Sequence, residues 1–442
     1  MDAEEPDQTS LLNQVRKWAS LDPDVLTLSG SLMVFSLALQ MTERFIPEYL
    51  SVLGAGSVVV GFYGTFKELL NASYPYPGGI LSDRFGSRGV LVSFGLITSL
   101  GFILWSLVPT LGPIPLGPVV VPGWIWIFLG TVFVLAWKEL GLGATFALVK
   151  DAVRSDRLAR GFASTEVLRR IGYLVGPITA SAVLAAYSDF LSGYQVLLFL
   201  AITVCLLATY GQYRGYRAAE EYADLNPESQ AVTSASLLQG IVNDFLELPD
   251  ELQVLLAADS LIRFGNGMVY VFFVLVITRY HEVGWSIFGF RLDPPSFFGL
   301  LLGVEMTIAL ISMIPASRLA DELGLKPVVA VGFFVYGIFP LLLILAPADP
   351  VIMILLFAFS GLRFAGMPGH KAMIVGPAES GKGGRTTGVY YLIRNILRVP
   401  APAIGGILFE ISPKLSFTLA SLIGLLGTMV FLVVGKTFDP KR

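Results

Sequence analysis

Charge is scarce in this sequence. Of its 442 residues only 14% are Asp, Glu, Lys or Arg, where a soluble domain carries about a quarter. So uncharged a surface suits lipid and not water. Cysteine is nearly missing. The single Cys205 excludes an intrachain disulfide framework and a cysteine-based metal site. Two histidines, His281 and His370, are too few for a His-rich metal site. There is no His pair and no aspartate pair at usable spacing, which argues against an intramembrane enzyme. The formal net charge is only −3, and no basic tract points to nucleic acid. Residues Met1 to Ser10 are acidic and polar, without the basic and apolar regions of a cleavable signal.

Apolar sequence is what remains. The chain is 54% hydrophobic, with a mean hydropathy of +0.71. Runs of about twenty apolar residues, long enough to cross the hydrocarbon core, fall at 25–48, 57–80, 89–108, 124–148, 162–184, 194–212, 254–277, 296–317, 327–347, 351–374, 386–409 and 414–435. Continuous runs of this length are helices. The predicted class is therefore an all-α integral membrane protein with twelve transmembrane helices.

A polar stretch from Arg214 to about Glu251 divides the runs into two sixes. The predicted organisation is an N-terminal segment (1–24), a six-helix bundle (25–213), a linker (214–251), a second six-helix bundle (252–436) and a tail (437–442). Leu238, Val242, Phe245 and Leu248 recur at helical spacing in the linker, as do Leu11, Val15 and Trp18 near the start. Both read as short amphipathic helices, lying on the membrane or on the protein's own face. One set of loops holds Arg84, Arg88, Arg154, Arg157, Arg160, Arg214, Arg217, Arg318, Lys326, Lys382 and Arg385, and the opposite set only Arg279, Arg291 and Lys414. The positive-inside rule then puts both termini and the linker in the cytoplasm, in a plasma or inner membrane.

The halves repeat. GGILSDRFGSRGV (Gly78–Val90) aligns with ASRLADELGLKPV (Ala316–Val328) at an offset of 238, matching Asp83 to Asp321, Gly86 to Gly324 and Arg88 to Lys326. An offset of 225 matches Lys138 to Arg363, Arg169 to Arg394 and Pro177 to Pro402. Duplicated six-helix halves place a transport site between the repeats. The Gly78–Val90 loop closely resembles the signature G-x-L-x-D-R-x-G-R-R of the major facilitator superfamily, with Ser87 where that family prefers a basic residue. The resemblance implies two six-helix bundles rocking about a central cavity. It also implies a cytoplasmic gate of Gly79, Asp83, Arg84, Gly86 and Arg88 with Asp321, Gly324 and Lys326, the arginines pairing with carboxylates across the bundle interface.

An ionisable residue inside a span is costly and marks a functional site by default. Here they are Glu43, Arg44, Lys67, Glu68, Lys138, Glu139, Glu166, Arg169, Arg170, Asp259, Arg263, Glu305, Arg363, Arg394 and Arg398, with Lys371 lower in its span. Runs 3, 6, 9 and 12, the peripheral helices of the resembled fold, have none in their interiors, Lys414 being the first residue of run 12. Asp259 with Arg263, and Glu166 with Arg170, are spaced for intrahelical pairs. Lys67 and Glu305 match between halves and are expected to face each other. Arg394 and Arg398, one turn apart, need an acidic partner such as Glu68 or Glu166, or an anionic ligand. About ten cations against six acids favour an organic anion or zwitterion. Glu68, Glu139 and Glu305 are the carboxylates expected to carry a coupling proton.

Further motifs are partial. GYLVGPITASA from Gly172 resembles the family's antiporter motif with Ala180 and Ser181 in place of its closing glycines, and leans toward export. WKELGLGA from Trp137 resembles the motif R-x-x-Q-G-x-G-A, with Trp137 in the arginine's place and Lys138 one position later. GPAESGKG (Gly376–Gly383) fails as a phosphate loop, because Gly383 replaces the Ser or Thr and a helix precedes it. Asn71-Ala72-Ser73 lies inside a span, out of reach of glycosylation. The expectation is a monomeric secondary active transporter whose partners are a small-molecule substrate and the lipid bilayer. Its energy source is a proton gradient, and it needs no cofactor. The alternatives are a proton-coupled uptake permease and a transporter-like solute receptor.

Overall fold

The computed structural model describes residues 23–152, 158–216, 248–287, 290–375 and 383–435. Helix α1 spans Pro23–Val52. Helix α2 runs Ser57–Ser73 and, after Tyr74, Pro75–Phe85. Then come α3 (Ser87–Leu111), α4 (Ile125–Val149), α5 (Leu158–Ala185) and α6 (Phe190–Gly215). The second set is α7 (Asp250–Tyr270 and Phe273–Tyr280), α8 (Pro294–Leu323), α9 (Leu325–Leu345), α10 (Pro350–Ile374), α11 (Gly383–Arg398 and Ala401–Ile411) and α12 (Pro413–Val434). Two small antiparallel hairpins, β1–β2 (Ile114–Leu116, Val119–Val121) and β3–β4 (Trp285–Ile287, Phe290–Leu292), follow α3 and α7. Both lie at one end of the helices, the hairpin face. The Gly86 and Gly324 turns lie at the opposite end, the signature face.

Among the described residues ten helices are long and apolar enough to cross a membrane, and the two pieces of α7, bent by 49°, make an eleventh. Helix α2 does not meet that standard, since its first piece has only 17 residues and carries Lys67 and Glu68. The linker helix, the N-terminal amphipathic stretch, Arg154, Arg157, Arg217 and most of the phosphate-loop look-alike lie outside the described residues. Arg88, Arg214, Lys326 and Lys414 fall in the end turns of α3, α6, α9 and α12, so the middles of these helices are uncharged as expected. The same helices present large apolar side chains outward, Leu100, Phe199, Leu345 and Val433 among them, each more than half exposed. In water such a belt would drive aggregation; in lipid it is the lateral surface.

The first helix of every three-helix unit is broken. In α1 the proline ring of Pro47 removes the N–H that would bond to the Glu43 carbonyl. The Ile46 amide takes its place, and Glu43–Phe45 tightens into a 3₁₀ turn. A wide π-turn occupies Ala136–Leu140 of α4, another Val276–Tyr280 of α7, and a 3₁₀ turn Leu362–Phe364 of α10. Irregular turns of this kind often mark functional positions. Here they carry Glu43, Arg44, Lys138, Glu139, Arg279 and Arg363.

Helices α1–α6 pack on one another, as do α7–α12, and α2–α11 and α5–α8 join the halves. Glycine permits that joint. A Cβ on Gly61 would lie 2.6 Å from the Pro402 carbonyl oxygen, and one on Gly299 2.8 Å from the Ser181 amide. Nearer the hairpin face Glu48 of α1 accepts from Arg279 of α7 (2.9 Å) and from Thr278 (2.7 Å), and the Glu410 carboxylate takes the Ser57 amide. Toward the signature face Arg170 Nη1 still reaches Met313 of the other half (3.4 Å). Leu142–Ala152 packs on α1, α2 and α3, and Met367–Val375 on α8, α9 and α11, each within its own half.

Candidate functional site

The N-terminal half presents a cavity of about 200 Å³, walled by Phe35, Gln40 and Glu43 of α1, Trp137, Lys138, Glu139 and Thr145 of α4, and Arg169 and Tyr173 of α5. Phe35 and Trp137 stack at 4.1 Å. Trp137, at the motif's arginine position, is buried, and its indole N–H donates to Gln212. It is a packing residue, and Lys138 supplies the charge. Lys138 pairs with Glu139 at 2.8 Å, Lys67 pairs with Glu43, and Glu166 takes both Arg169 (2.5 Å) and Arg170 (3.1 Å). These side chains are partly open to solvent; those of Lys138, Arg169 and Glu166 are each about a third exposed.

Between the halves is a smaller cavity of about 30 Å³, bordered by Arg44, Tyr63, Lys67, Tyr270, Phe298 and Glu305. Lys67 and Glu305 both border it, as the repeat leads one to expect, without forming an ion pair. Each is neutralised inside its own half, because a charge buried this deeply takes its nearest partner. Arg44 has no carboxylate within ion-pair distance among the described residues. Its guanidinium lies over the Tyr270 ring at 4.2 Å, with Nε donating to Gln40. Arg363 approaches the same ring at 6.0 Å.

In the C-terminal half the charges are sealed. Glu305 and Arg363 pair at 2.8 Å with 1% exposure each, and Ser360 donates to Glu305. The remaining Arg363 nitrogens, Nε and Nη1, have no hydrogen-bond partner and face the rings of Tyr336 and Phe364. Asp259, fully buried, takes Arg263 (3.1 Å), the Tyr390 hydroxyl (3.2 Å) and Arg394 (3.4 Å), with His370 Nε2 also at 3.4 Å. Arg398 reaches across the seam to Glu68 at 2.7 Å. One of the two carboxylates expected for this arginine pair is thus the observed one, while Arg394 turns to Asp259.

At the signature face Gly86 and Gly324 both have strongly positive φ, +80° and +86°, a region nearly closed to other residues. The repeat is therefore a repeat of backbone. Gly78 packs its Cα on the Leu140 backbone, and Gly79 faces Gly143, so α2 and α4 touch at these glycines. Arg88 pairs with Asp24 at the start of α1 (2.5 Å), within its own half and not across the interface as expected. Lys326, its counterpart, donates to the Leu432 and Gly435 carbonyls that end α12. Asp83, Arg84 and Asp321 are exposed.

Two matched bundles, a cavity between them and paired loop glycines agree with the comparisons. Residues 255–442 match the family model of the Major Facilitator Superfamily. An uncharacterized MFS-type transporter of Methanocaldococcus jannaschii is 23% identical over 94% of this chain and 95% of its own length. These matches support a transporter of the major facilitator superfamily. A multidrug resistance protein of Proteus mirabilis is 31% identical over 22% of this chain and 24% of its own length. Solved structures of a nucleoside transporter, NupG (TM-score 0.69, 12% identity, covering 94% of this chain and all of that one), and of a POT family transporter bound to a thioalcohol-conjugated peptide (TM-score 0.70, 14% identity, covering 92% and 95%) share the fold.

On these matches and its candidate spans the chain is a multi-pass membrane transporter and not an enzyme. The glycines of its α5 motif have a packing role. Gly172 and Gly176 let α5 lie on the backbone of α1 at Met33 and Leu37. Four participants do not stand out as site residues in the sequence. Asp24 falls there at the end of the N-terminal segment, Glu48 at the end of the first run and Arg279 in a loop, and His370 is only one of two histidines too few for a His-rich metal site.

Proposed function

We propose that this major facilitator is a secondary active transporter of a small organic anion or zwitterion, working by alternating access and coupled to protons. Arg44 carries the reading. It is a cation at the seam of the halves, on a broken turn, beside a cavity, without a carboxylate of its own. A carboxylate or phosphate on a solute supplies the missing charge, while Lys138, Glu139 and Glu43 offer contacts of both signs to the rest of the molecule. Ion pairs and hydrogen bonds tie the halves toward the hairpin face, while Leu142–Ala152 and Met367–Val375 at the signature face each pack within their own half, which supports a state open to the side bearing the Gly86 and Gly324 turns.

On this reading all twelve helices cross a plasma or inner membrane with both termini in the cytoplasm, the chain acts alone, and Glu68, Glu139 or Glu305 exchanges the proton. The α5 motif and the stretch shared with a multidrug resistance protein favour export over uptake. The test is flux of anionic, zwitterionic, neutral and cationic solutes in proteoliposomes under pH gradients of either sign. Anions or zwitterions are expected to move, and R44Q to weaken their apparent affinity at least tenfold. Transport confined to neutral or cationic solutes, or unaltered in R44Q, overturns the substrate class. Flux that ignores both gradients overturns proton coupling.

A further inference from the structure

His370 sits on the part of α10 nearest the signature face and is 5% exposed. Its ring lies between Phe333 (5.3 Å) and Tyr390 (6.5 Å). Its Nε2 has no hydrogen-bond partner, yet it lies 3.4 Å from Asp259 Oδ2. Arg394 Nη1 lies at 3.4 Å from that same oxygen. Arg394 and the His370 nitrogen thus stand at equal distance from one carboxylate oxygen, which also accepts the Tyr390 hydroxyl at 3.2 Å, while Oδ1 is held by Arg263.

Among the described residues nothing else charged stands nearer to claim either nitrogen. Arg263 is occupied by Asp259 and by the Tyr336 hydroxyl (3.0 Å). Arg363 belongs to Glu305. Lys371 is exposed, Tyr390 donates to Asp259, and Tyr391 offers Arg394 its ring at 4.5 Å. Arg394 already donates through Nη2 to Asn395, at 3.2 Å, a partner it keeps when Nη1 leaves Asp259. From α12 only the apolar Phe431 ring reaches Phe333.

We propose that Asp259 is a proton-linked switch in which His370, once protonated, takes over the Oδ2 that Arg394 holds in this state. Nε2 accepts one proton from water, the new N–H donates to Oδ2, and Arg394 Nη1 withdraws, its guanidinium keeping Asn395 and Tyr391. The carboxylate stays ionised and keeps a cationic partner throughout, so no bare buried charge is created. A cavity of about 10 Å³, bordered by Arg263, Tyr336, Arg363 and His370, touches the site. That is roughly the space one water needs, and polar groups line it. It gives the proton a last stepping stone.

The geometry also links the switch to the seam. Arg394 and Arg398 are one turn apart on α11, and Arg398 holds Glu68 of the other half. Just beyond, α11 is broken between Arg398 and Ala401, at Val399 and Pro400. When α2 and α11 part, the segment carrying both arginines is free to tilt about that break. Withdrawal of Arg394 from Asp259 then accompanies loss of the Glu68 pair.

This switch rests on the proton-coupled reading above, and its test separates the two. The chain has two histidines, so ¹⁵N-histidine NMR of the H281Q protein in lipid nanodiscs reports His370 alone. R394Q is expected to raise the proton affinity of His370 about tenfold, one pH unit in the midpoint, and D259N to lower it by a similar factor. R394K, which keeps the charge but loses the fork, moves it less than R394Q and guards against misfolding of the glutamine variant. A midpoint unchanged in both Arg394 variants, or a ring that takes no proton in any of them, overturns the switch. Solute accumulation by the wild-type protein that is indifferent to an imposed pH gradient overturns coupling alone and leaves the NMR result standing.

Discussion

The two halves share a backbone plan and treat their charges in opposite ways. In the N-terminal half, Lys138, Glu166 and Arg169 line a cavity, each about a third exposed. In the C-terminal half Asp259, Glu305 and Arg363 are almost wholly buried. Water screens the first group and leaves it free to exchange partners for a solute. The second is desolvated, so each member depends on its partner. Equivalent positions, Lys138 and Arg363, thereby stand in different settings, one lining an open cavity and the other pairing helices α8 and α10.

The largest expected effect tests that contrast on the sealed side. R363M alone leaves Glu305 buried and unpaired, and is expected to cost about 3–5 kcal/mol. In detergent it should lower the thermal midpoint further than K138M, G86A or G324A. The double variant E305L/R363M removes both charges and should recover most of the loss. If R363M is as stable as wild type, the pair is not a structural lock and the contrast between halves fails.

The same substitution in the open half should behave differently. K138M leaves Glu139, 13% exposed, at the edge of an open cavity, so its stability cost should stay below that of R363M, while apparent solute affinity drops tenfold or more. A large stability loss with normal affinity would make Lys138 a second Arg363 and erase the distinction. G86A and G324A test the opposite claim, that the halves are alike. Both glycines hold a backbone that L side chains resist, so each should cost about 1–3 kcal/mol, and the two costs should agree within experimental error.

The fold was legible because its determinants are one-dimensional. Apolar length gives spans, and a glycine that must adopt positive φ stays glycine in both copies, as Gly86 and Gly324 do. The site was legible as a set of residues and less so as pairs. Asp259 with Arg263 and Glu166 with Arg170 follow from helical spacing, and Arg398 does find Glu68. Lys67 and Glu305 border one cavity but do not pair, because a repeat relates equivalent positions by a rotation and says nothing of which neighbour lies nearer. Glu43 on the adjacent α1 is closer to Lys67 than anything across the seam. His370 gave no periodic signal, since one buried histidine becomes meaningful only once Asp259 is known to stand beside it.

The smallest expected effect concerns the bond that makes the two ends of the molecule unequal. Glu48 and Arg279 tie α1 to α7 across the halves near the hairpin face. Arg279 is nearly half exposed, so the pair contributes at most about 1 kcal/mol. That is too little to unfold the protein, but a change of this size shifts a two-state equilibrium about fivefold. E48Q should leave the thermal midpoint almost unchanged and draw population away from the state open at the signature face. The native cysteine, Cys205, is buried, so S36C placed in the N-terminal cavity can serve as a single accessible thiol after C205S. In inside-out vesicles its alkylation should slow several-fold in E48Q, and R279Q should slow it by the same factor. Equal labelling in all three proteins would mean that the joint along Gly61, Gly406 and Gly299 holds the hairpin face closed without help from the ion pair.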